Sequence, residues 1–144
     1  MEYLGIDVGG TTTKMGVVTN NEIKNITIFN TDKNIEKFLP VLIQNINLYK
    51  LEFNIHAIGI GVPGFINMNE NIIKTCPNLG WKDVYITEKI SKNVNLPVYL
   101  INDVTRRMSS RIQIWFFKKY KKWYIYSPWY RNRRSCYCKS ETLH

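Results

Sequence analysis

No run of eighteen apolar residues occurs in the 144-residue chain, which leaves no segment long enough for a membrane-spanning helix. The first residues lack the basic-then-apolar pattern of a secretory leader, so the expectation is a cytoplasmic protein. Cysteine is scarce: Cys76 stands alone, and Cys136 and Cys138 are separated by one residue. An odd number without framework spacing argues against a disulfide-stapled scaffold, and a C-x-C pair with no further Cys or His at ligand spacing makes a poor zinc site. Acidic residues run out near the end. Residues 1–104 hold nine Lys and Arg against ten Asp and Glu, whereas residues 105–144 hold eleven against one, so the positive excess behind the net charge of +9 lies entirely in the last forty positions. Trp115, Trp123 and Trp129, three of the four tryptophans, lie there too.

What is present is concentrated at the other end. Leu4 to Val18 reads L-G-I-D-V-G-G-T-T-T-K-M-G-V-V: an apolar strand ending in Asp7, a tight turn through Gly9 and Gly10, three hydroxyls, and a second apolar strand. Adjacent glycines let the backbone turn sharply and approach a ligand, and exposed amides with Thr hydroxyls can donate to phosphate oxygens. A carboxylate beside such a turn would repel phosphate unless a cation sat between them, so the pattern suits a Mg-nucleotide. A plain β-hairpin would account for Gly-Gly but needs neither the Asp before it nor the three Thr after it.

Farther on, Glu22 to Thr31 alternates well enough for a third strand, and Phe38, Leu42 and Ile46 recur at helical spacing through to about Tyr49. Thr31 or Asp32 can cap that helix, and Pro40 either kinks it or stands in its first turn. His56 to Phe65 reads as a buried strand followed by a Pro63-Gly64 turn, with His56 given no role. Ile66 to Thr75 fits a short hairpin around Asn69 and Asn71, Pro77 to Trp81 is turn-rich, Asp83 to Asn93 can form a helix, and Leu96 to Ile101 is a strand delivering Asn102 and Asp103. This order predicts an α/β class with a mixed sheet, and unusual residues sit at three strand ends, where ligands collect in such sheets.

The succession L-G-I-D-V-G-G-T-T-T-K, G-I-G-V-P-G, P-N-L-G-W and P-V-Y-L-I-N-D resembles the N-terminal half of a ROK family sugar kinase, and is most similar to the bacterial glucokinases of that group. The resemblance spans nearly all of residues 1–104. It implies the N-terminal lobe of the actin-like, ribonuclease H-like ATPase fold and ATP-dependent phosphorylation of a hexose, glucose foremost, with Mg2+, in a family whose intact form is a homodimer. It places the ATP phosphates on Asp7, Gly9, Gly10, Thr11 and Thr12, with Lys14 nearby. Gly64 and Asn78 would border the sugar, Asn102 and Asp103 would bind its hydroxyls, and Asp103 would be the catalytic base. A carboxylate held at a strand end suits that task, because a sugar hydroxyl attacks a phosphoryl group poorly until its proton is accepted. Asp103 would equally serve as a helix N-cap, and one residue can do both. ROK repressors place a DNA-binding helix-turn-helix ahead of these motifs, and the first motif here begins at Leu4, which leaves that reading no room.

After Asp103 the family continues with a helix and a second glycine-rich phosphate loop, L-G-T-G-I-G-G, whereas this chain continues T-R-R-M into the basic aromatic tail. A frame shift near Val104 accounts for the change. Trp and Tyr codons read from their second base turn Trp129-Tyr130 into glycine, and Ser127 through Cys138 then permit H-L-G-T-G-I-G-G-A-V-I. Residues 105–144 are accordingly expected to be out of frame and poorly ordered, and the chain to be a truncated, catalytically silent kinase lobe. Two other functions compete. Lys118, Lys119, Lys121 and Lys122 interleaved with Tyr120, Trp123 and Tyr124 would suit single-stranded nucleic acid, although nothing in residues 1–104 supports it. A sugar-binding remnant keeping Gly64, Asn78, Asn102 and Asp103 without catalysis is the other.

Overall fold

In the computed structural model, which describes residues 1–19, 22–67, 69–102, 113–116 and 123–126, the glycine turn joins β1 (Glu2–Val8) to β2 (Thr12–Thr19). Alternation decides the faces. Leu4, Ile6 and Val8 of β1 and Met15 and Val17 of β2 are buried on one side, with Ile6 opposite Met15 and Leu4 opposite Val17. β3 (Glu22–Asn30) extends the meander antiparallel to β2. β4 (Ile55–Val62) then returns on the far side of β1 and runs parallel to it, and β8 (Val98–Asn102) lies parallel beyond β4. The resulting five-stranded mixed sheet has the order β3-β2-β1-β4-β8.

The crossover from β3 to β4 is α1 (Ile35–Glu52), whose Phe38, Leu42, Ile46 and Tyr49 form the buried stripe. Its cap differs from the expectation of Thr31 or Asp32. Asn34 is the N-cap, its side chain accepting from the Glu36 amide at 2.9 Å, while Asp32 accepts from the Asn34 amide at 2.8 Å. Pro40 neither starts the helix nor lies in its first turn; the helix runs through it, although Pro40 cannot donate to the Glu36 carbonyl. α2 (Ile86–Val94) buries Ile86, Ile90 and Val94 against the same face and ends at Asn95, whose φ of 53° is left-handed. It lies beside α1, with Lys89 paired to Glu36 at 3.3 Å and Lys50 donating to the Val94 carbonyl. Among the described residues no helix is long and apolar enough to cross a membrane.

Between β4 and α2 the chain builds a second, three-stranded antiparallel sheet from β5 (Phe65–Asn67), β6 (Ile72–Cys76) and β7 (Trp81–Val84). The hairpin around Asn69 and Asn71 is present, but β7 occupies part of the span expected to be helical. Asp83 stands at φ 49° within β7, and the helix waits until Ile86. In the tail, β9 (Gln113–Phe116) and β10 (Trp123–Tyr126) pair antiparallel. The expectation of poor order covers the whole of residues 105–144, and all of that stretch except these two strands lies outside the described residues.

Candidate functional site

The parallel strands end together. Asp7 is in register with Gly61, Gly61 with Ile101, and Val62 with Asn102, so the carboxyl ends of β1, β4 and β8 share one edge of the sheet. Two strand spacings separate β1 from β8, about 10 Å. A small substrate can therefore reach from the glycine turn to the end of β8.

The turn itself is built by backbone. The Gly9 amide donates to the Thr12 carbonyl at 2.9 Å, and a Cβ on Gly9 would stand 2.6 Å from that oxygen, so a side chain there would break the turn. At Gly10 the nearest atom to such a Cβ is that of Asn78, 3.6 Å away. Glycine thus leaves a side-chain-free floor against Asn78. The three hydroxyls do not act alike: Thr11 is exposed, Thr12 half-buried, and Thr13 fully buried with its Oγ1 2.8 Å from Thr31 Oγ1. Thr13 is a tie to the next loop, and only Thr11 and Thr12 are placed to meet an anion. Lys14, half-buried, sits directly opposite Asp7 across the β1–β2 pair.

A polar groove of about 780 Å³ runs along this turn, lined by Gly10, Thr11, Asn30, Thr31, Lys33 and Asn78. The expected phosphate residues Gly10 and Thr11 and the expected sugar residue Asn78 are therefore brought to one surface. Asn30, Thr31 and Lys33 were not foreseen. The signal that could have found them is the register: Thr12 pairs with Asn30, which puts the β3–α1 loop beside the turn. The Thr31 amide donates to the Thr11 carbonyl at 2.8 Å, and the indole of Trp81 donates from Nε1 to the Lys33 carbonyl at 2.7 Å. Trp81, which closes the turn-rich segment, is 4% exposed and packed on Phe38, ring centroids 5.4 Å apart, so it braces the groove from beneath.

Gly64 is held against β6. A Cβ there would meet the Thr75 carbonyl oxygen at 2.4 Å and the Cys76 Cα at 3.0 Å, and the Cys76 thiol reaches the Pro63 carbonyl at 3.4 Å. Burial pushes that thiol up from its ordinary value, so Cys76 is an inert brace rather than a nucleophile. Asn78 follows through a tight turn in which the Leu79 amide donates to the Cys76 carbonyl at 3.1 Å, and Gly80, at φ 70°, completes it. The backbone of Asn102 closes β8 at the shared edge, whereas Asp103 lies outside the described residues.

The arrangement suits a phosphate chain. A glycine floor, the exposed Thr11 hydroxyl and the Lys33 ammonium offer donors to an anion, and Asp7 stands at the strand end where a divalent cation would have a carboxylate within reach. A larger groove of about 860 Å³ between α1 and α2, lined by Pro40, Ile43, Leu48 and Leu51 among others, contains none of the strand-end residues.

Comparison with known proteins bears on the family and the fold. The profile described as ROK family matches residues 3–113. A glucokinase of Halalkalibacterium halodurans is 34% identical over 111 residues, covering 70% of this chain and 33% of its own length. A putative xylose repressor of Caldicellulosiruptor sp. strain Rt8B.4 is 41% identical over 47 residues, 33% of this chain and 12% of its own. Among solved structures, a ROK family glucokinase from Streptomyces griseus in complex with glucose and AMPPNP superimposes with a TM-score of 0.67 and 25% identity, over 72% of this chain and 33% of that one. The chain thus spans about a third of the length of the glucokinases it matches.

Proposed function

The chain belongs to the ROK family and has the N-terminal part of its actin-like ATPase fold, and on that premise we propose that it is one lobe of an ATP-dependent hexose kinase, glucose being the foremost substrate. What carries the reading is the abutment of Gly10 and Asn78 in one groove, since phosphoryl transfer requires the nucleotide phosphates and the acceptor sugar side by side. Gly9, Gly10, Thr11 and Thr12 hold the phosphates, with Lys14 and Lys33 adding positive charge. Gly64, Asn78 and Asn102 bound the sugar. Asp103 accepts the proton of the attacking hydroxyl while that oxygen bonds to the γ-phosphorus and the bond to the β-phosphate oxygen breaks, releasing ADP. A Mg2+ ion, when bound, supplies charge neutralisation between the phosphates and the Asp7 carboxylate.

A kinase of this kind closes two lobes on its nucleotide to exclude water, and the 144 residues carry one of them. The tail reads as the product of a shifted frame, so binding without turnover is the expected behaviour of this chain. Titration calorimetry on the full chain tests both parts: glucose and ADP each bind weakly, and a coupled assay with ATP and glucose shows no turnover. Binding of neither ligand would refute the kinase-lobe reading, and turnover would refute the silence of the fragment. Sequencing the gene through position 104 and beyond His144 checks the frame. The similarity to xylose repressors favours a second reading, sugar binding without nucleotide chemistry, which the same titration separates because only glucose would bind.

A further inference from the structure

Among the described residues β8 pairs in the sheet with β4 alone, and so presents backbone groups on its outer side. Asn71, in the turn between β5 and β6, lies against that edge. Its Nδ2 donates to the Val98 carbonyl at 3.3 Å and its Oδ1 accepts from the Leu100 amide at 3.0 Å. Those two groups flank Tyr99 on one side of the strand, so a single carboxamide stands in for a peptide unit of a neighbouring strand. Only one orientation of the amide serves, because a carbonyl needs a donor and an amide needs an acceptor. The backbone of Asn71 is engaged too: its φ is 55°, and its carbonyl accepts from the buried hydroxyl of Thr87, at the start of α2, at 3.0 Å.

We infer that Asn71 is a positioning residue for β8, held through the first and third residues of the strand whose last is Asn102. It ties that strand to the small sheet that continues into the Asn78 turn, and so sets the spacing between Asn102 and Asn78 across which a hexose is held. The inference rests on the kinase-lobe reading, and it divides the ligands: the sugar depends on β8 and the small sheet, whereas the nucleotide phosphates depend on the β1–β2 turn, which Asn71 does not touch. No other side chain fits as well. Aspartate offers acceptors to a carbonyl, and glycine keeps the left-handed backbone without the bridge.

The test is glucose and ADP affinity of the full chain by calorimetry, for the natural protein, Asn71→Gly and Asn71→Asp, with amide exchange at Leu100 followed by NMR. Loss of the bridge weakens glucose binding about fivefold to tenfold, leaves ADP affinity within about twofold, and speeds exchange at Leu100. Asn71→Asp, which keeps an acceptor for Leu100 and loses the donor to Val98, weakens glucose in the same direction and is read if the glycine variant does not fold. Unchanged glucose affinity with faster Leu100 exchange would overturn the inference, making Asn71 a staple on the sheet edge and nothing more. Equal losses for both ligands would overturn it as well, as general loosening. If the natural protein binds neither ligand, the kinase-lobe reading itself fails and takes this inference with it.

Discussion

Replacing Trp81 by phenylalanine asks whether the indole is a brace or a surface for sugar. The ring is 4% exposed, it packs on Phe38, and its N–H holds the Lys33 carbonyl at 2.7 Å. A buried tryptophan covers about 150–250 Å², of which phenylalanine forgoes roughly 60 Å², so at ~25 cal/mol per Å² the lost apolar burial is about 1.5 kcal/mol. The hydrogen bond adds about 1 kcal/mol, and more if the Lys33 carbonyl finds no water to replace the indole. The expected loss is thus about 2–3 kcal/mol, or a fall in Tm of roughly 10–20 °C for a domain near 100 residues. Trp81→Ala, at about 3–5 kcal/mol, would remove much of the ~5–15 kcal/mol that holds a typical domain together. Urea unfolding followed by circular dichroism gives the stability, and calorimetry at low temperature gives glucose affinity for whatever remains folded. A Trp81→Phe protein within about 0.5 kcal/mol of the natural one that had lost glucose binding more than tenfold would refute the assignment, because that combination belongs to a ring stacking on ligand in the open.

Gly64→Ala sets a methyl 2.4 Å from the Thr75 carbonyl oxygen, where backbone cannot yield cheaply, and costs about 2–3 kcal/mol by urea unfolding while displacing the Pro63-Gly64 turn. Asn34→Ala removes the α1 cap and costs about 1 kcal/mol, measured by thermal melting, whereas Thr31→Ala leaves the helix start intact. Burial raises the Cys76 thiol above its ordinary 9.0, so the folded protein keeps a proton that the unfolded chain releases. Stability from that source is whole below the ordinary thiol value of 9.0 and declines as pH rises above it toward the raised folded value, so the advantage of the natural protein over Cys76→Ala narrows only on the alkaline side of 9.0. Lys33→Met weakens ADP binding about threefold to tenfold at low salt, and the difference shrinks in calorimetry at higher ionic strength because the ammonium is exposed.

The elements that local chemistry decides could be read from the chain. The β1–β2 hairpin, β3, β4 and β8 follow from alternation and from the Gly9-Gly10 and Pro63-Gly64 turns, and the family resemblance rests on those same residues. Misreadings arose where neighbouring signals compete or where a distant partner decides. Thr31, Asp32 and Asn34 are all cap-competent; Asp32 closes a turn onto the Asn34 amide, and that leaves Asn34 to begin the helix. β7 has four residues and runs almost directly into α2, so its pattern merged with helical periodicity. Which way Trp81 faces depends on α1, forty residues earlier, and Lys33 joins the groove only because β3 pairs with β2. Asn71 looked like a turn residue, and its bridge to Val98 and Leu100 becomes visible only once the two sheets are assembled.

β1 occupies the middle of the large sheet, with β2 on one side and β4, which follows it by about fifty residues in the chain, on the other. A growing polypeptide can complete the β1–β2–β3 meander early, but the second side of β1 stays bare until β4 emerges about fifty residues later. At ~5–20 residues per second the ribosome leaves that interval open for roughly 3–10 s, during which an apolar row of Leu4, Ile6 and Val8 with unpaired backbone is available to other nascent chains. Slow codons placed before β4 would lengthen that exposure, and faster ones would shorten it.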